Sequence, residues 1–160
     1  RRYLHVFGPA TAASFAKWAG IGDGEAEAAF AVLAGELTAV RTPIGDAWIL
    51  AKDEAAFRAT PGPAAPARLL PSGDSYFLLW GADRDLLVPD RTRRAQLWTT
   101  RVWPGALLVG GEIAGVWRRA GTDVSIDLWR RLSRAEWTAV EAEAMSLPLR
   151  GPISVRRTAV

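Results

Sequence analysis

The stretch GPATAASFAKWAGIGDGEAEAAFAVLAGEL, residues 8–37, decides how the first third of the chain is read. Thr11 follows Gly8-Pro9 as an N-cap, and Ala12, Phe15, Ala16 and Ala19 recur at helical spacing. Gly20-Ile21-Gly22 breaks that helix. Asp23 is placed to cap a second one, with Glu25 and Glu27 in its first turn, where the helix dipole favours negative charge. Ala26, Ala29, Phe30 and Leu33 form its apolar stripe, and Gly35 ends it. Two short helices about a glycine turn have the layout of a helix-turn-helix, whose second helix ordinarily enters a DNA groove. Here that helix carries Glu25, Glu27 and Glu36 and no Lys or Arg, in a chain of pI near 9.9.

Reading outward, RRYLHVF (1–7) has the pattern of the end of a preceding helix, and the chain starts with Arg, so a fragment of a longer protein is expected. LTAV (37–40) and AWIL (47–50) predict a hairpin around Thr42-Pro43-Ile44-Gly45-Asp46. Helices followed by a hairpin predict a winged helix over 1–59. TPGPAAPA (60–67), with three prolines in eight residues, predicts a connector.

Beyond it the pattern turns from helical to alternating. RLLP and YFLLW are short apolar runs, and ALLV-GG-EIAGVWRR (106–119) predicts a hairpin, because Gly-Gly supplies the positive φ of a two-residue turn. DVSIDLW puts Val124, Ile126 and Leu128 on one face. Ser133-Arg134-Ala135-Glu136 is a capping box with Leu132 and Trp137 at the staple positions. It opens a predicted helix 133–147 whose apolar face is Trp137, Val140, Ala144 and Leu147, and Pro148 stops it. ISVRR (153–157) reads as a closing strand. The expected class is α+β: a winged helix, then a small β-barrel or sandwich with one helix over 68–160.

Composition excludes several functions. Apolar residues make up 49% and charged residues 23% of the 160, as in ordinary globular chains. There is no Cys, which removes disulfides and thiolate metal sites and fits a cytoplasmic setting. The single His5 leaves no basis for a His-built zinc site or a Ser-His-Asp triad. No apolar run is long enough to span a membrane, and no cofactor motif stands out; GIGDGE serves better as the turn between helices than as a nucleotide loop. Asp74, Asp83, Asp85, Asp90 and Glu112 are explained by capping and ion pairing rather than by a metal cluster.

Charge is uneven. Residues 1–66 carry six basic and seven acidic side chains, and 67–160 carry fourteen and ten. Within 91–119, Arg91, Arg93, Arg94, Arg101, Arg118 and Arg119 face only Glu112. DRTRRAQLWTTRVWPG (90–105) interleaves four of these arginines with Trp98 and Trp103. Arginine forks suit phosphates, and indoles either wedge into a duplex or pack into the fold; both readings of the tryptophans stand at this level. Arg118 and Arg119 are neighbours on one strand, so they point to opposite faces.

Taken together, these residues resemble the AlkZ-type winged-helix DNA glycosylases, also called YcaQ-like or crosslink-repair glycosylases. The resemblance rests on RRYLHVFGPATAASFAKWAG with Gly8-Pro9-Ala10-Thr11 and Trp18, on LLPSGDSYFLLWGADRDLLVP with Leu70-Pro71, Asp74 and Asp83-Arg84, and on GALLVGGEIAGVWRR. It implies tandem winged helices followed by a C-terminal β-barrel, of which this chain matches the last winged helix and the barrel. The family's Gln-x-Gln or Gln-x-Asp motif, which positions the attacking water, lies in its N-terminal part; the only Gln here is Gln96, so no catalytic residue is assigned. Ser72-Gly73 also departs from the pattern, where many relatives have an aromatic before the Asp.

The expected role is therefore the DNA-binding part of a repair glycosylase, gripping double-stranded DNA while upstream winged-helix domains hold the hydrolytic site. The alternative is a non-catalytic winged-helix DNA-binding or regulatory protein. Duplex DNA carries about one charge per 1.7 Å of axis, which opposes glutamates in its groove. Contact is thus expected from Arg41 and Lys52 of the wing and from Arg91, Arg93, Arg94, Arg101, Trp98, Trp103 and Arg118 or Arg119.

Overall fold

A computed structural model describes residues 1–43, 45–78 and 83–158. The chain divides into two compact units, Arg1–Gly62 and Pro63–Val160. Ile44 of the expected hairpin loop and the end of the YFLLW run lie outside the described residues. Among the described residues no helix is long and apolar enough to cross a membrane.

The first unit runs α1 (Arg2–Phe7), α2 (Ala12–Ala19), α3 (Asp23–Val32), β1 (Leu37–Thr42), β2 (Gly45–Leu50) and α4 (Glu54–Arg58). The Thr11 hydroxyl accepts the Ser14 N–H at 3.1 Å and starts α2, and Gly20 ends it in the left-handed region at φ 69°. Asp23 does not cap α3. Gly22 is the cap, and its N–H donates to Glu25 Oε2 at 3.0 Å, so the glutamate closes the helix end through the orphan backbone donor. The helix also stops earlier than expected, at Val32, and Glu36 falls in a following 3-10 turn. Strands β1 and β2 pair antiparallel from Leu37↔Leu50 to Thr42↔Gly45. Ala10, between α1 and α2, adds a bridge to Trp48 through two backbone hydrogen bonds of 3.0 Å. Leu4, Ala10, Leu33 and Leu50 form the buried core, flanked by Tyr3, Phe30 and Leu37.

The second unit contains one five-stranded sheet in the order β3 (Ala67–Leu70), β4 (Gly105–Val109), β5 (Glu112–Ala120), β6 (Asp123–Leu128), β7 (Ser154–Thr158). Gly110 and Gly111, at φ 61° and 88°, make the tight β4–β5 turn that side chains with a Cβ adopt poorly. Helices α5 (Ser75–Leu78), α6 (Arg84–Leu87) and α7 (Arg91–Leu97) lie between β3 and β4, and α8 (Arg134–Met145) between β6 and β7. The capping box forms: Ser133 Oγ accepts the Glu136 N–H at 3.2 Å, and Glu136 Oε2 accepts the Ser133 N–H at 2.7 Å.

Two corrections to the expected barrel follow. Among the described residues of the second unit the strands form one open sheet, and that unit has no second sheet with which to make a sandwich. The crossover through α8 returns the chain to run parallel beside β6, so β7 is an outer edge rather than a closing strand. At the opposite edge, Glu143 of α8 covers β3: its Oε1 accepts the Leu69 N–H at 3.1 Å and its Oε2 accepts from Arg68 at 3.2 Å. The expectation of a single helix is likewise replaced, because three short helices precede β4.

The helices clothe the sheet on both faces. On one, Leu69, Leu107, Val109, Val124 and Ile126 bury against Val140 and Ala144 of α8. On the other, Ala106 and Val116 pack with Phe77 of α5, Leu97 of α7, Val88 and Trp129. Gly105 permits this arrangement, since a Cβ there would sit 2.1 Å from Trp117 Nε1 and 2.4 Å from the Leu70 carbonyl. The Trp117 indole crosses β4 at that point and donates to that same carbonyl at 2.7 Å.

Candidate nucleic-acid interface

Arg93, Arg94 and Arg118, three of the arginines singled out in the sequence, bond on the face covered by α5–α7, and α7 explains how the first two are held. Asp90 Oδ1 accepts the N–H groups of Thr92 at 2.7 Å and Arg93 at 3.1 Å, which starts the helix. Those bonds, with the nearby arginines, hold the Asp90 carboxyl below its ordinary range. Leu97 is the fully buried anchor of the helix. Arg93 and Arg94 flank that side at helical angles, whereas Arg91 points away from it and is exposed.

The flanking arginines are tied to backbone carbonyls. Arg93 donates through Nη2 to the Trp129 carbonyl at 2.7 Å, with Asp90 a looser 3.8 Å neighbour. Arg94 Nη1 donates to the carbonyls of Val88 at 2.7 Å and of Pro89. Gln96 completes the docking of α7: its Oε1 accepts the Trp129 indole N–H at 2.6 Å. The only glutamine of the chain is thus engaged within the fold.

Arg118, on the same face of β5 as Val116, donates to the Val102 carbonyl at 3.2 Å. Arg101, next to Val102, is exposed. Arg119 pairs in register with the buried Val124 and so belongs to the α8 face, where it donates to the Gly121 carbonyl at 2.8 Å. The two neighbours are separated by the sheet, as strand alternation requires.

Trp98 and Trp103 take the packed alternative in this conformation. Both border the apolar cluster of this face and are half-buried. The Trp98 N–H donates to the Phe77 carbonyl at 3.1 Å and that of Trp103 to the Thr99 carbonyl at 2.6 Å. Phe77 meets Trp98 edge-on at 6.3 Å.

Arg84, missing from the expected contacts, emerges beside them. Its guanidinium carbon lies 4.9 Å from the Trp98 ring centroid and 5.8 Å from that of Trp103. A buried, unbonded N–H costs about 1–3 kcal/mol, and among the described residues Arg84 Nε is such an atom. The sequence carried little warning, because the indoles it meets lie far along the chain.

In the first unit, Arg41 lies across the hairpin in register with Asp46, its Nε 3.6 Å from the carboxylate in a loose, exposed ion pair. Lys52 does not lie in the hairpin but in the 3-10 turn Ala51–Asp53 that follows β2. Glu36 pairs with Arg1, whose hydrogen bond, aided by Lys52, holds the carboxyl below its ordinary value. His5 Nδ1 sits 2.9 Å from Asp53 Oδ2. Asp74 accepts the Tyr76 N–H at 2.9 Å, a local turn bond. Among the described residues no three His, Asp or Glu side chains converge on a metal position.

An open sheet clothed by helices, together with a helical unit carrying a hairpin, describes an α+β protein. Its class is shown by a family model: residues 1–148 match the family described as DNA glycosylase AlkZ-like, and the chain belongs to that family. The fold is similar to that of the DNA glycosylase AlkZ of Streptomyces sahachiroi, with a TM-score of 0.78 at 24% identity over 98% of this chain. The chain spans 43% of the length of that protein. No curated protein matches its sequence.

Proposed function

We propose that this chain is the DNA-binding portion of a DNA-repair glycosylase, holding the duplex backbone while the base–sugar bond is cut by upstream winged-helix domains of a longer protein. The first unit is read as a winged helix, for which the order α1, Ala10 bridge, α2, α3, β1, β2 is the support. Its acidic α3 serves as scaffold: Glu25 closes its own helix end. The grip falls to Arg91, Arg101 and Arg118, with Arg93 and Arg94 contributing charge from fixed positions, and Trp98 and Trp103 backing them as packed supports rather than as free wedges. Arg119, Arg41 and Lys52 are placed at the margin of this role.

One observation carries the reading. Arg93, Arg94 and Arg118 on the α5–α7 face are anchored by backbone carbonyls of Trp129, Val88, Pro89 and Val102, and the nearest carboxylate paired with any of the three is Asp90, 3.8 Å from Arg93. A carbonyl orients a guanidinium without cancelling its charge, so the face keeps its attraction for phosphates. Fluorescence anisotropy with a labelled duplex, followed from low to moderate salt, tests it. Affinity is expected to fall steeply with salt, and Arg91→Ala and Arg101→Ala to weaken all duplex sequences alike. Binding indifferent to salt, or none, overturns the reading.

A further inference from the structure

We infer that Arg84 is a preorganised phosphodiester-binding residue, its terminal nitrogens forming a fork for the oxyanions of a DNA strand; this rests on the DNA-binding reading above. Arg84 lies half-buried over Trp98 and Trp103, whose indole N–H groups are fixed by the Phe77 and Thr99 carbonyls. The rings therefore hold the guanidinium plane from a rigid base, so little side-chain freedom remains to be lost on binding. Its Nε is buried and without a partner among the described residues. Asp83 and Asp85 are its neighbours in sequence, yet neither forms an ion pair with it among the described residues.

The contrast with α7 is informative. Arg93 and Arg94 spend terminal nitrogens on backbone carbonyls, whereas the Nη1 and Nη2 of Arg84 donate to no described residue. With Nε enclosed, the open side of the group is the end-on pair of terminal nitrogens. That pair matches two oxygens of a phosphate in one plane. A half-buried cation lacking a counter-charge is also the position where an incoming anion gains most.

The test uses the whole 160-residue chain and two probes. In the first, dimethyl phosphate is titrated while the Arg84 Nε–H resonance, assigned by its loss in Arg84→Lys, is followed by NMR. A saturable shift at concentrations that leave the other arginine resonances unmoved is expected. In the second, duplex affinity is measured: Arg84→Lys, which keeps charge but loses the planar fork, should bind about tenfold more weakly, and Arg84→Ala should lower the log-salt slope by about 0.9.

An Arg84 resonance unmoved by dimethyl phosphate overturns the inference, as does wild-type affinity in a folded Arg84→Lys variant. Duplex binding that survives either result leaves the grip with the other arginines. A dimethyl phosphate shift in a chain that does not bind duplex upholds the anion site and sinks the DNA reading. With the Arg84 Nε–H resonance also assigned by through-bond experiments on the wild-type chain, the wild-type titration decides the matter even if both variants unfold.

Discussion

The two faces of the five-stranded sheet bury similar apolar clusters, but the helix layers on them hold their charges differently. On the α8 face, acids are abundant and each is used. Glu136 bonds Arg130 at 2.8 Å, Glu141 accepts the Trp137 N–H at 2.7 Å, and Glu143 serves both Arg68 and the β3 edge. Arg157 there rests over the Trp137 ring at 5.0 Å. On the α5–α7 face, Arg93, Arg94 and Arg118 bond carbonyls and Asp90 is drawn to backbone N–H groups, while the close ion pair of this face, Arg156 with Asp123 at 2.9 Å, lies out at the β7 edge. A carboxylate partner turns a cation into a neutral structural pair; a carbonyl partner leaves it a charged surface group. The arginines held by carbonyls are the ones on which the proposed grip rests.

The largest effects test whether both layers belong to one cooperative structure. Phe77 and Leu107 are wholly buried, one on each face. Urea unfolding should show Phe77→Ala lowering stability by about 3–5 kcal/mol and Leu107→Ala by about 2–5 kcal/mol. A separate, earlier transition in Phe77→Ala alone would reveal that the α5–α7 layer melts independently of the sheet. Next in size, Gly105→Ala forces a Cβ into the Trp117 indole and should cost about 1–3 kcal/mol. Its near-ultraviolet circular dichroism should change as that ring is displaced; an unaltered spectrum and stability would mean that the crossing tolerates more room than the distances allow.

Charge removal should separate the faces more sharply than it disturbs stability. Arg118→Gln on the α5–α7 face should lower duplex affinity and reduce the log-salt slope by up to about 0.9. Arg68→Gln, which removes a group already neutralised by Glu143, should leave both unchanged. Equal losses from the two substitutions would erase the contrast between arginines held by carbonyls and those paired with carboxylates.

The smallest effect concerns acid. The Arg130 guanidinium and the Ser133 backbone and hydroxyl hold the Glu136 carboxyl at about 2, below its ordinary 4.5. A depressed folded-state value means that the stabilisation is present above about 4.5 and is lost as pH falls from there through about 2. Glu136→Gln should flatten the part of the acid-unfolding curve in that window. Because the group is exposed, a modest change in midpoint is expected; an unchanged curve would show that the capping bonds alone do the work.

Legibility in the sequence followed the range of the forces involved. The Thr11 and Ser133 caps, the Gly110-Gly111 turn and the hairpin of the first unit were all readable, since each depends on residues a few positions apart. Helix α7 was not, because Leu97 is its one fully buried residue and leaves no apolar period to detect. Its stability comes from a cap and from Arg93 and Gln96 reaching Trp129, more than thirty positions away. The open sheet was missed for a related reason: strand alternation reveals faces, but whether β7 returns parallel or closes a barrel depends on where α8 docks.

The sequence alone settled the Thr11 and Ser133 caps, the hairpin turns, the family and the surplus of arginine after residue 67. Tertiary structure decided which arginines are spent. Arg93 and Arg94 are drawn to carbonyls, Arg68 and Arg130 to glutamates, and Arg84 is left over two indoles with its Nε unpartnered among the described residues. A side chain's charge is written in its identity, but the counter-charge it meets is set by groups brought near it only when the chain folds.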